Sequence, residues 1–395
     1  MKNGITQSVI ALSCLFAFNV SANEAGAIAT SSGIDLVPRV DATLKHDDNL
    51  ASSSNNEEQS WIMEVRPSIV AELEDGLNIY TAEFGIAAGH FFDSQDDDYL
   101  DARVSGSAYL EGDQSNRLNL DGLILFGHED RGTGVSEGVG GEQEEPNTFV
   151  NLSIGGYYEY GALSTPARLR INAKYYDKEY TNFESVTKFK NYESYTLGTS
   201  LYYDTRASTS LVVDLIREDI SYEYVDPTGD RDSVSSDVKV GVDWEATALT
   251  QGSARIGYQK KEFDNQLRED FGGLAWSINV TWSPLTYSSV DFNTGRKAKD
   301  PSTDGDYVQE TTYGVTWSHE WSPLWASNVG VNLLKEDFTG ISRKDEMKSF
   351  NLGLNYNASR WLTLKAGVDI TDKSSSQAQI KYDKTVFYIT AEMTL

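Results

Sequence analysis

A single cysteine, Cys14, occurs in the 395 residues. A disulfide framework and a cysteine-ligated metal site are therefore excluded. Histidine is scarce too, with only His46, His90, His128 and His319. No HExxH, GxSxG or phosphate-binding glycine loop accompanies them, so the common hydrolase and nucleotide-binding signatures are missing. After the N-terminus no apolar run approaches the roughly 18 residues of a membrane-spanning helix. Basic residues are outnumbered, 33 Lys+Arg against 60 Asp+Glu, for a net charge of -27. A nucleic-acid partner would want the opposite balance. Prolines number only 8 and hydrophobic residues make up 39%, which is not the composition of a disordered tail. What is plentiful is 22 Tyr, 15 Phe, 8 Trp and 32 Gly, a mixture that favours strands joined by turns.

The N-terminus reads as an export signal. Lys2 supplies a positive start, Val9 to Val20 is a short apolar run, and Val20-Ser21-Ala22 is a small-residue cleavage site. Cleavage is expected before Asn23, giving a signal peptide over 1–22. Cys14 lies inside the apolar run, and Ala11-Leu12-Ser13 is a poor lipidation motif. Residues 23–34 are expected to be a short periplasmic segment and 35–395 a single domain.

That domain alternates with period 2. Leu274, Trp276, Ile278, Val280 and Trp282 interleave with Ala275, Ser277, Asn279 and Thr281. Val238, Val240, Val242 and Trp244 interleave with Asp237, Lys239, Gly241 and Asp243; Leu362, Leu364, Ala366, Val368 and Ile370 do so with Thr363, Lys365, Gly367 and Asp369. Short turns such as Glu74-Asp75-Gly76 and Ser283-Pro284-Leu285 take turns with longer polar loops, for example 47–60, 128–146 and 297–306. A soluble sandwich also alternates, but three features favour a membrane barrel. The apolar segments run about 10 to 14 residues, suited to tilted membrane strands. Charges sit deep in the strands, as with Glu64 and Arg66 or Arg168 and Arg170. Aromatics recur at strand ends, among them Trp61, Tyr160, Trp282, Trp321 and Trp361. The expected fold class is all-β, a transmembrane up-and-down antiparallel β-barrel of about 18 strands.

The polar registers nominate a lumen lining: Arg39, Arg66, Arg103, Arg168, Arg170, Lys174, Lys239, Asp243, Lys365 and Asp369. As candidate polysaccharide contacts, such groups hydrogen-bond passing sugars and tune ion selectivity, or they simply pair across the ladder. Arg168, Arg170, Lys174 and Lys178 put four cations on one strand face, a guide for an anionic polymer. The chain ends inside an amphipathic strand with Phe387, Ile389, Ala391, Met393 and Leu395 on one face. Phe387, Ile389, Met393 and Leu395 look like the signal read by the outer-membrane barrel assembly machinery, although Leu395 stands where bacterial barrels often end in Phe. The barrel's other partners are outer-membrane lipid and lipopolysaccharide. Two acidic stretches, Asp93 to Asp98 and Asp300 to Asp306, have the carboxylates of a cation loop, yet neither matches an EF-hand. No catalytic set, metal site or cofactor is expected.

One local motif carries a family resemblance. Leu44-Lys45-His46-Asp47-Asp48-Asn49-Leu50, a Ser/Asn/Glu loop, and then Trp61 to Leu73 with Pro67 resemble the "xDDNv" opening and "xxPsl" strand of the putative β-barrel porin type 2 family. The resemblance implies an outer-membrane channel encoded with exopolysaccharide or capsule genes, exporting polymer through a hydrated lumen. It also implies an exopolysaccharide and a periplasmic export lipoprotein as partners. The residues alone show a barrel. They leave open a general or small-solute porin, a plugged barrel acting as adhesin or matrix scaffold through its loops, and a barrel enzyme acting on polymer or lipid.

Overall fold

The computed structural model describes residues 27–394 other than 206, 207 and 248. The expected signal peptide, residues 23–26 and Leu395 lie outside the described residues. Eighteen long strands follow one another from Asp35–Asp47 to Tyr382–Thr394, ranging from 12 residues in Ser288–Lys299 to 16 in Ser60–Asp75. Each is antiparallel to the next, and the last pairs with the first through Thr390↔Thr43 and Thr394↔Arg39, so the sheet closes into a ring. Ahead of the ring, the two-residue strand Ile28–Ala29 folds back on Leu36 and Asp35. Part of the segment expected to be a short periplasmic stretch therefore begins the sheet as a small hairpin.

Strand length fits the membrane. About 14 residues at roughly 3.3 Å each make a strand of ~46 Å. Tilted by roughly 40°, it still spans ~35 Å, more than the ~30 Å hydrocarbon layer. Connections at one end are tight: Asp75 pairs with Asn78 across a turn in which Gly76 takes φ 65°, a left-handed conformation that glycine adopts without steric cost. Connections at the other end are long. They run over 48–59, 92–98, 130–146, 181–191, 223–232, 264–270, 300–307, 339–343 and 376–381. Barrels of this type put short turns in the periplasm and long loops at the cell surface.

Register aligns the apolar residues into rows. Leu169, Leu201, Val213, Val240, Ile256 and Trp276 are successive cross-strand partners on six adjacent strands. The first five of these side chains are exposed on the outside of the barrel. Water would oppose a continuous apolar band of this extent; a bilayer is its natural solvent. Tyr160, Tyr203, Trp282, Trp321, Trp325 and Trp361 stand exposed near the short turns, where amphipathic rings sit at a membrane interface. Phe387 and Ile389 belong to the same outward face. The inside is the reverse of an ordinary core. Among the described residues the one buried apolar cluster is Leu50, Ile62 and Phe91, with Tyr99 against it, whereas Glu64, Arg117, Glu159, Lys261, Glu310 and Asn351 are all buried polar groups.

Candidate functional site

The same alternation that turns Leu169 and Ile171 outward turns Arg168, Arg170 and Lys174 inward. The register places Arg39, Arg66, Arg103, Lys239, Asp243, Lys365 and Asp369 on that inner face as well, each one step from an outward apolar row. Most are paired. Arg66 lies 2.9 Å from Glu64 and Lys239 lies 2.8 Å from Asp237. Arg255 spans Asp214 and Asp243, at 2.8 Å from each, and Lys365 pairs with Glu392. Charges on a hydrated wall that neutralise one another across the ladder are the ordinary outcome.

The wall built by strands Asn147–Tyr160, Ala167–Tyr180 and Tyr192–Asp204 is different. The buried Glu159 carboxylate accepts from three guanidiniums: Arg117 at 2.7 Å, Arg168 at 3.2 Å and Arg170 at 2.7 Å. Arg168 also reaches Asp204 at 3.3 Å. Arg170 lies over the Tyr157 ring at 4.2 Å and near that of Tyr202 at 5.3 Å, contacts in which a cation meets the negative face of a ring. Lys178 is held by Glu129 at 2.6 Å. Lys174 stands 5.4 Å from the Tyr176 ring and makes no ion pair among the described residues. The four-cation ladder thus keeps an excess of positive charge, set against tyrosine rings.

Above this wall the outer loops fold inward and grip one another. Loop 130–146 is tied at its base by Arg131, which binds Asp97 at 2.7 Å and Glu58 at 2.6 Å in the two preceding loops. Gly132, at φ 76°, passes so close to the chain that a Cβ there would stand 1.8 Å from the Ala51 carbonyl oxygen. From that base the loop crosses the mouth. Its Glu137 accepts from Arg343 at 2.6 Å and from Lys373, both on the far side of the ring. Arg343 is buried and also binds Asp345 at 2.5 Å and the Thr303 hydroxyl at 3.1 Å, so it joins loop 130–146 to loop 300–307.

A second group of loops is pinned by two more buried arginines. Arg231 binds Asp226 at 2.8 Å and the Gly305 carbonyl at 3.2 Å. Arg268 donates to that same carbonyl at 3.1 Å, to the Gly229 carbonyl at 2.8 Å and to Asp306 at 3.1 Å. Burial pushes the Asp226 carboxyl up, but the hydrogen bonds from Thr228 and Arg231 outweigh it and bring the pKa down to about 2. Loop 181–191 spans the mouth as well, with Lys190 donating to the Thr303 and Pro301 carbonyls.

Several carboxylates of the two acidic stretches bind side chains of the chain itself: Asp97 pairs with Arg131, Asp300 with Lys261 and Asp306 with Arg268, and Asp98 hydrogen-bonds the His90 imidazole. No group of three or more metal-ligating side chains converges among the described residues. Among the described residues, no hydroxyl that would serve as a nucleophile hydrogen-bonds the imidazole–carboxylate pairs His90–Asp98 and His128–Asp101. Sequence reasoning found the ladder but not Glu137, Lys190 or Arg343, whose partners lie far along the chain. Tyr157 and Tyr202 were readable, because they share the inward register of Arg168 and Arg170.

Comparison with known proteins gives a family and a fold. The family model described as "Putative beta-barrel porin 2" matches residues 35–395. No curated protein matches the chain. Among solved structures, OpdK of Pseudomonas aeruginosa with vanillate superposes with a TM-score of 0.51 at 10% identity, covering 92% of this chain and 99% of that one. OpdO of the same organism gives 0.51 at 11% identity, covering 92% and 97%. At such identities the likeness is one of fold.

Proposed function

Because the chain belongs to the putative beta-barrel porin 2 family and is an outer-membrane β-barrel, we propose that it is a passive channel for small water-soluble solutes. The observation that carries this reading is the crossing of the mouth by loop 130–146, latched through Glu137 to Arg343 and Lys373 opposite. A ring of 18 strands is wide enough for an aqueous lumen. The crossing loop divides that width into passages suited to small molecules. Between the loops and the periplasm, solute meets a wall of charged and amide side chains. There Arg168, Arg170 and Lys174 favour anions, while the paired residues Arg66, Arg103, Lys239, Asp243 and Lys365 keep the wall hydrated. OpdK of Pseudomonas aeruginosa, whose fold this chain shares, has been crystallised with vanillate, a small solute.

Export of a polysaccharide, which the opening motif implies through its family resemblance, needs room for a continuous sugar chain and hence displacement of the crossing loop. It is the second reading. Planar-bilayer recording of the purified protein tests the first: discrete open levels in KCl are expected, and their absence at any voltage refutes it. Surface polysaccharide that disappears on gene deletion, with precursor retained in the periplasm, would favour the second.

A further inference from the structure

Among the outer loops lies a cavity of about 570 Å³ whose walls come from six separate loops. That volume falls within the range of sites for small organic ligands, roughly 300 to 1,000 Å³. Its chemistry is unlike the lumen below it. Val135, Val186, Phe189, Ile341 and Ile380 turn apolar side chains to it from four different loops. Val186 is 59% exposed, although nothing obliges a surface loop to show water a valine. Apolar side chains gathered from distant parts of the chain around one space mark a binding site more often than chance exposure.

Lys190 lines the same cavity. Its ammonium donates only to backbone carbonyls, those of Thr303 and Pro301, and no carboxylate lies within ion-pair distance of it among the described residues. The Thr303 carbonyl is shared with the Arg231 guanidinium at 3.4 Å, so a second cation stands beside it. The carboxylates nearby are committed: Asp226 to Arg231, and Glu137 to Arg343 and Lys373. Asp304 lies on the rim and is exposed. Burial, and then the neighbouring Arg231, lower the Lys190 pKa to about 8 against the opposite pull of the more distant Asp226, Asp304 and Asp300.

We infer that this loop cavity is an outer capture site for a small organic carboxylate with an apolar body, its acid group paired with Lys190 and its body against Val186, Phe189 and Ile341. The site deepens the small-solute reading and rests on it for its physiological sense. A captured anion would be released toward the Arg168–Lys174 wall, where the next unpaired positive charge waits.

Benzoate is the probe, with benzyl alcohol as its uncharged counterpart of similar shape, titrated calorimetrically into the full-length barrel in detergent micelles. Saturable benzoate binding is expected, at least tenfold tighter than that of benzyl alcohol. Lys190→Met should weaken benzoate at least tenfold, Lys190→Arg should retain most of the affinity, and Phe189→Ala should weaken both probes. Each variant is first shown to keep the heat-modifiable gel shift of a folded barrel. No saturable benzoate binding, or an affinity unchanged in Lys190→Met or in Phe189→Ala, overturns the inference. Binding needs no transport, so the two readings fail separately. A barrel that binds benzoate but passes no ions removes the channel; a conducting barrel indifferent to benzoate removes the capture site.

Discussion

The latch at Glu137 offers the most direct handle on the channel. Glu137→Gln keeps the shape of the side chain and removes its charge. Two charge-assisted contacts are affected, one to Arg343 at 2.6 Å and one to Lys373. Hydrogen bonds to charged groups contribute about 1.5 to 3 kcal/mol each. The loss will be smaller than their sum, because Arg343 keeps Asp345 at 2.5 Å and Lys373 has it at 3.7 Å. Taking a net ~2 kcal/mol, the ratio of lifted to docked loop tip rises roughly 30-fold, at ~1.4 kcal/mol per factor of ten. The base of the loop stays tied through Arg131 and the Gly132 approach, so the barrel itself should be unaffected. In single-channel recordings at neutral pH, Glu137→Gln should spend at least tenfold more time in a higher-conductance level, with more frequent transitions. Lys373→Met should act in the same direction, and the double variant should fall short of additivity, as expected for groups in contact. Identical open levels and dwell times in Glu137→Gln and the parent protein would refute the idea that this contact narrows the mouth.

Other consequences can be checked as simply. Lys174 has no ion pair to break among the described residues, so Lys174→Glu should fold normally and move the zero-current potential in a KCl gradient toward the cation value. Asp226 is held below its ordinary pKa, so its contribution to loop docking is complete above about pH 4 and is lost as pH falls toward 2. Limited proteolysis of the 223–232 loop should accelerate over that window while the gel shift of the barrel persists. Gly132→Ala meets both a left-handed φ and the Ala51 carbonyl; it should expose the 130–146 loop to protease without unfolding the strands. Leu352→Arg, on the outward face, should destabilise folding into lipid vesicles by roughly 2 to 4 kcal/mol, whereas Asn351→Ser, one residue away on the inner face, should cost far less.

The barrel was legible because its physics is local. One glance at Leu274 to Trp282 shows which side chains meet hydrocarbon, since neighbours in a strand must point to opposite faces. Loop ends were equally clear: the stretch read as 128–146 emerges as 130–146, and that read as 297–306 as 300–307. Inward orientation of Arg168, Arg170 and Lys174 followed from the same alternation. What alternation does not encode is the partner. Glu159 lies in the same stretch of sequence as Arg168 and Arg170, yet its third guanidinium comes from Arg117 on a different strand. Glu137 meets Arg343 at a separation of 206 residues, which only closure of the ring makes possible. In the sequence Lys190 is one lysine among several; its want of a carboxylate is visible only when three loops are brought together.

The pairing of the final strand with the first has a bearing on biogenesis. Residues 390 to 394 sit beside 39 to 43, so the seam is zipped by the first and last strands of the ring and no strand between them can seal it. Until the last strand has joined, the sheet carries two raw margins with unsatisfied backbone amides, a poor guest for oil. Closure must therefore wait for the eighteenth strand, and those margins need shielding meanwhile. A product lacking that strand would keep both margins open and have no solvent that suits them.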